Sequence, residues 1–181
     1  MSYDKNKVIA LAESEIGYRE KASNANLDDK EANAGHNNWT KYARDLDALG
    51  NFYNFPKNGF EWCDMFYDWL IVTSFGAEAA KKLLCQPDYS AGAGCYYSAQ
   101  YYKQYGQFHS AGSTPLPGDQ IFFTYSVGEV SHTGLVVSVD GGMTDNPAVE
   151  KWNGKSYIME PNRMKLSSVR FTFGEKTGCM E

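Results

Sequence analysis

The chain lacks an excess of positive charge: 17 Lys and Arg stand against 22 Asp and Glu, a formal net charge of −5. A nucleic-acid surface needs a basic face, so that class of function is set aside. No run of like charges is long enough to act as a polyanion-binding arm. Long hydrophobic runs are missing as well. The longest, Phe66 to Phe75, is interrupted by Asp68 and falls far short of the roughly 20 apolar residues of a membrane-spanning helix. Met1 to Lys7 leads into a mixed helix rather than an apolar leader core, so the expectation is cytoplasmic synthesis without a signal peptide. The four cysteines, Cys63, Cys85, Cys95 and Cys179, show neither C-x-x-C spacing nor companion histidines. That pattern excludes the usual zinc site, and no cofactor is expected. Without a secretory leader a disulfide framework is not expected either. A Cys85–Cys95 pair stays open, with reduced thiols as the default.

What is present is an ordinary globular composition with a surplus of aromatics, 15%, led by 13 Tyr. Tyr has an apolar body and a polar tip, which suits a partly wet groove as well as a core. No repeat or composition shift divides residues 1–181, so a single domain is expected. Apolar residues at helical spacing over Lys5–Tyr18 (Val8, Ile9, Ala12, Ile16) predict a helix. The polar stretch Ser23–Asn38 reads as a loop, Trp39–Leu49 as a short helix, and Asn51–Gly59 as a loop around Pro56. Helices follow at Trp62–Phe75, stopped by Gly76, then at Glu78–Leu84 and Gly94–Tyr105. The second half turns to β-type sequence: Gln120–Tyr125 after the Leu116-Pro117-Gly118-Asp119 turn, then Thr133–Val139, Ser156–Glu160 and Val169–Phe173. Helices first and an antiparallel sheet afterwards define an α+β fold.

That order carries a helix-borne residue of the first half to strand-borne residues of the second. Cys63 falls in the first turn of the Trp62–Phe75 helix, where unpaired N–H groups and the positive end of the dipole favour a thiolate. The same N–H groups suit a tetrahedral oxyanion. Position alone more often means a buried structural thiol. His132, in Val130-Ser131-His132-Thr133-Gly134-Leu135, stands at the start of a strand, held rigidly at a sheet margin as a general base requires. A satisfied structural histidine is the plain alternative. His36 and His109 lie in polar contexts. A third group should accept from the far imidazole nitrogen. Glu160, ending Tyr157-Ile158-Met159-Glu160, is placed for this, with Asn162 as a second orienter; either could equally be a surface residue.

Taken together, these residues resemble the CHAP family, the cysteine/histidine-dependent amidohydrolase/peptidases. The resemblance is carried by Glu61-Trp62-Cys63-Asp64-Met65-Phe66, by Pro117-Gly118-Asp119-Gln120-Ile121-Phe122-Phe123, by Ser131-His132-Thr133-Gly134-Leu135-Val136-Val137, and by Glu160-Pro161-Asn162, where Pro161 stands in a stretch that is Glu-Gly-Asn-like in the family. It spans about Ile9 to Phe173. It implies a papain-like fold, one catalytic domain, and cleavage of an amide in bacterial peptidoglycan, as an N-acetylmuramoyl-L-alanine amidase or a stem- or bridge-peptide endopeptidase. It further implies a phage endolysin or autolysin that works as a monomer on the wall after release or export. Cys63 would attack, His132 would protonate the leaving amine, and water would hydrolyse the thioester.

Substrate contacts are expected from Trp62, Tyr102 and Trp152. The Tyr96–Tyr105 helix offers Tyr97, Tyr101 and Tyr105 on one face and Tyr102 on another; one face is expected to be core and the other a glycan-stacking surface. Asp28-Asp29-Lys30-Glu31 invites a calcium reading, but Lys30 interrupts it and no D-x-D-x-D-G spacing is present, so a solvated loop is expected. Competing readings are an NlpC/P60-type endopeptidase, an interbacterial amidase toxin, and, outside the enzymes, an inactive wall-binding module.

Overall fold

The structure, a computed structural model, describes residues 3–87, 91–109, 115–126 and 129–137. Among these, five helices precede a two-stranded antiparallel sheet, so the α+β order is as expected. The predicted strands Ser156–Glu160 and Val169–Phe173 lie outside the described residues.

Helix α1, Lys5–Ser14, begins at Asp4, whose carboxylate accepts from Asn6 N at 3.0 Å and Lys7 N at 3.3 Å. It ends earlier than the apolar pattern predicts, because the chain turns through Gly17 at φ +86°. The loop that follows is held by backbone bonds from Lys21 N to Trp39 O (2.8 Å) and from Ala22 N to Asn33 O (2.8 Å). Its asparagine content has a conformational cause. Asn26, Asn33 and Asn38 all sit at φ of 55–60°, the left-handed region that Asn enters more readily than other residues with a side chain. Helix α2, Lys41–Asp47, is capped by the Thr40 hydroxyl, which accepts from Ala43 N at 3.2 Å.

Helix α3, Cys63–Phe75, is the centre of the molecule. Ten of its thirteen residues are buried, on all sides, as expected of a helix that is apolar around its circumference. Packed against it, Tyr42 of α2 meets the rings of Phe66 at 4.8 Å, Trp69 at 5.0 Å and Trp62 at 5.6 Å. Each such ring pair adds about 0.5–1.5 kcal/mol beyond its buried area. Gly76, at φ +85° and ψ 156°, breaks the helix and starts α4, Ala77–Leu83. Helix α5, Cys95–Gln104, follows Gly94.

The Pro117-Gly118-Asp119 turn enters β1, Gln120–Ser126, which pairs with β2, Glu129–Leu135. Gly118 is required there on two counts: its φ is +99°, and a Cβ would stand 2.7 Å from the Cβ of Lys5. β2 starts and ends four residues before the expected Thr133–Val139. The hairpin pairing reaches back to Glu129, so His132 lies inside the strand rather than at its start. One face of the sheet, with Phe122 and Leu135, joins the helical core, while Ile121 and Val136 form a small second cluster with Phe123.

The thiols do not all follow the expected default. Cys63 and Cys95 are free, but Cys85 is disulfide-bonded. This corrects the expectation of four reduced cysteines and removes a Cys85–Cys95 pair.

Candidate active site

Cys63 is the first residue of α3. The first intrahelical bond, Phe66 N to Trp62 O at 2.9 Å, lies beyond it, and Trp62 supplies no side-chain cap. The N–H groups of the first turn, Cys63 among them, therefore have no intrahelical partner. Asp64, fully buried, aligns the next helix to this point. Its Oδ2 accepts from Gly94 N at 2.9 Å and from the Ser98 hydroxyl at 2.7 Å. These two bonds draw the N-terminus of α5 against that of α3, so two helix starts and two thiols meet.

β2 brings His132 to the same place. Strict alternation pairs it with Phe123, and the two rings stack at 5.7 Å and 28°. The register then shifts: Phe123 faces His132, but Thr124 faces Val130, leaving Ser131 as an extra residue in β2. Bulges of this kind bend a strand and re-aim the neighbouring side chain. Beside this one, the His132 side chain comes near enough to Cys63 to pull its thiol pKa down. A thiol at a helix N-terminus and an imidazole on a bent strand are thus brought together.

The charge state of Cys63 is set by three neighbours. The neighbouring Cys95 thiol and burial push the thiol up, and His132 pulls it the other way, with the balance well above the ordinary range. This is opposite to the thiolate expected from the helix N-terminus alone. The reason lies in Cys95. Its Sγ donates to Val130 O at 3.8 Å, which leaves its sulfur free to accept rather than donate towards Cys63 and so favours the protonated Cys63 thiol. The surroundings of Cys63 thus favour the thiol over the thiolate. Cys95→Ala is expected to lower the Cys63 pKa and to speed its alkylation by iodoacetamide at pH 7 by roughly three- to tenfold. An unchanged pH–rate curve for alkylation would dismiss this account of Cys95.

The other expected site residues divide. Glu160, Asn162 and Trp152 lie outside the described residues. Tyr102 is corrected: it is 1% exposed, and its hydroxyl donates to Gln120 Oε1 at 2.8 Å, so it offers no stacking face. Trp62 is likewise buried, with its ring against Tyr42 and Phe66 and Nε1 donating to Glu20 at 2.8 Å. The face of α5 expected to carry Tyr97, Tyr101 and Tyr105 is not uniform: Tyr97 and Tyr105 are exposed, whereas Tyr101 is buried and its hydroxyl accepts from Gly92 N. Among the exposed aromatics are Phe60, three residues before Cys63, and Tyr96 and Tyr97, which follow Cys95. In the Asp28–Glu31 loop, Asp28 takes a bidentate bond from Arg44 (2.7 and 2.8 Å), and Asp29 caps the N–H groups of Glu31 and Ala32. No group of three or more His, Cys, Asp or Glu among the described residues is arranged to hold a metal ion. Sequence reasoning missed Cys95 and the polar residues Asp64, Ser98, Gln120 and Thr133. For Cys95, a cysteine directly after a glycine at a predicted helix start was the available signal.

A family model described as the CHAP domain matches residues 55–147, just over half of the chain and a span that includes both Cys63 and His132. No match was found among curated proteins or among solved structures.

Proposed function

The chain belongs to the CHAP domain family, and from that premise we propose that it cuts an amide of bacterial peptidoglycan with Cys63 as nucleophile and His132 as proton-transfer partner. Membership makes it a hydrolase of the peptidoglycan amidase/peptidase type. What carries the finer reading is the placement of Cys63 at the uncapped start of α3, with β2 packed against that helix so that His132 acts on its thiol.

The chemistry follows from that geometry. His132 takes the Cys63 proton as the sulfur adds to the amide carbon, and N–H groups of the first α3 turn hold the oxyanion. The tetrahedral species collapses with loss of the amine, to which His132 returns the proton, leaving an acyl thioester on Cys63. Water, deprotonated by His132, then adds to the thioester; the acid departs and the thiol is restored. Glu160 and Asn162 are proposed to accept from the far imidazole nitrogen and so fix its tautomer. The enzyme is proposed to act as a monomer on the wall after release or export, as an endolysin or autolysin.

The test is digestion of purified peptidoglycan by the wild type and by Cys63→Ala, with new termini identified by mass spectrometry. Free L-Ala amino termini from the wild type alone mean a muramoyl amidase. Internal stem- or bridge-peptide termini mean an endopeptidase. Wall left intact by both proteins would return the chain to the binding-module reading.

A further inference from the structure

We infer that Gln120 is a positioning residue for the Cys63–His132 pair, because its buried amide joins the residue after the nucleophile to the residue after the base. The inference rests on the catalytic reading of Cys63 and His132 given above. Gln120 is completely buried at the start of β1. Its Nε2 donates at 3.0 Å to Asp64 Oδ1, next to Cys63, and at 3.0 Å to Thr133 Oγ1, next to His132. Its Oε1 accepts from the Tyr102 hydroxyl at 2.8 Å.

The direction of every bond is determined. The Thr133 hydroxyl donates to Ile121 O at 2.8 Å, so towards Gln120 it has only a lone pair to present. Tyr102 supplies a proton to Oε1, which fixes which way the amide faces. Both amide protons are then committed, one to α3 and one to β2. Asp64 in turn takes Ser98 and Gly94 of α5 on its other oxygen. One side chain therefore ties together the three elements that carry Cys63, Cys95 and His132.

This arrangement has a mechanical reason. His132 sits beside a bulge, where the ladder to β1 is interrupted, so strand pairing alone fixes it poorly. A buried, fully satisfied polar network supplies the missing constraint. Hydrophobic packing is non-directional and tolerates a slide of helix against sheet; a two-donor amide between fixed acceptors does not. A slide of about 1 Å between nucleophile and base is enough to cost on the order of 10²-fold in rate.

The test compares Gln120→Met, which keeps length and removes all three bonds, with the wild type. Readouts are turnover of solubilised peptidoglycan fragments and the pH dependence of Cys63 alkylation by iodoacetamide. Gln120→Met is expected to lower kcat by about 10- to 100-fold with KM within about twofold. In the wild type, His132→Ala should displace the alkylation curve; in the Gln120→Met background it should displace it little, since the two groups no longer meet. Should Gln120→Met fail to fold, Thr133→Val removes one acceptor only and is expected to lower kcat about three- to tenfold with partial loss of that coupling. Full kcat, or full coupling of His132 to Cys63 in whichever variant folds, overturns the role of Gln120. A wild-type curve that ignores His132→Ala overturns instead the pairing on which the inference rests, so the two failures are told apart.

Discussion

His132→Ala is expected to lower the rate of peptidoglycan cleavage by about 10²- to 10⁴-fold, the usual worth of a positioned general base, while leaving the fold intact. Half-buried at the sheet margin, the imidazole packs on Phe123 and on no other described ring, so its removal leaves no large cavity. The effect is chemical. Burial and Cys95 hold the Cys63 proton in place, and His132 acts in the opposite sense. Without the imidazole, the Cys63 pKa rises further and no group takes the proton in the transition state. What activity remains should climb with pH beyond the wild-type range, because hydroxide must then generate the thiolate. The measurement is a pH–rate profile of both proteins on the same peptidoglycan. A variant within tenfold of the wild type across pH 6–9 would remove His132 from the mechanism.

The second large effect concerns stability. Asp68 is fully buried one turn beyond Asp64 on α3, and burial followed by the Asp64 charge pushes its carboxyl well above the ordinary range. Its Oδ2 accepts from the Tyr53 hydroxyl at 2.6 Å and from Gln86 Nε2 at 3.2 Å. Its Oδ1, and Gln86 Oε1 as well, find no partner among the described residues. A proton on the buried carboxyl removes its charge and gives it a hydrogen to donate. A carboxyl whose pKa is higher folded than unfolded binds its proton more tightly in the native state. Its contribution is therefore fully present below the unfolded value near 4 and is lost as pH rises through the folded value. Asp64 adds a slope of the same sign. Asp68→Asn supplies a permanent donor at Oδ1's place with nearly the same shape. It is expected to add about 1–3 kcal/mol at pH 8, about 3–8 °C in Tm for a chain of this size, and little at pH 4. Thermal unfolding of both proteins across pH 4–9 decides it: an equal or lower Tm for the variant at pH 8 would mean that Asp68 is charged and otherwise stabilised.

The legible part of the molecule is tied to chain-local signals. Gly76 ends α3 where a glycine after an apolar run predicts a stop, and Thr40 caps α2 through its own hydroxyl. Cys63 and His132 were legible because their motifs and chain order identify them without reference to packing. Helix ends were legible less closely: the Lys5–Tyr18 pattern stops at Ser14, since Ile16 is carried by a turn rather than by the helix. The tyrosines of α5 were misread. Helical spacing groups Tyr97 with Tyr101 and Tyr105, yet Tyr101 and Tyr102 are buried and the outer two exposed. The buried arc is selected by where α3 and β2 press on the helix, which spacing does not encode. Asp64 and Asp68 looked like charges interrupting an apolar run, and Gln120 like an ordinary polar residue at the mouth of a strand; all three are fully buried.

By itself, then, the sequence determined the order of helices and strands, the place of Cys63 at a helix start and the family to which the chain belongs, because each depends on short-range backbone preference or on residues in linear order. Tertiary structure alone decided that Cys95 stands beside Cys63 and pushes its thiol up, that His132 reaches it beside a bulge, and that Gln120 bridges the neighbouring residues Asp64 and Thr133. Those facts depend on contacts between residues up to 69 positions apart, whose donors and acceptors acquire direction only when packing has removed water from between them.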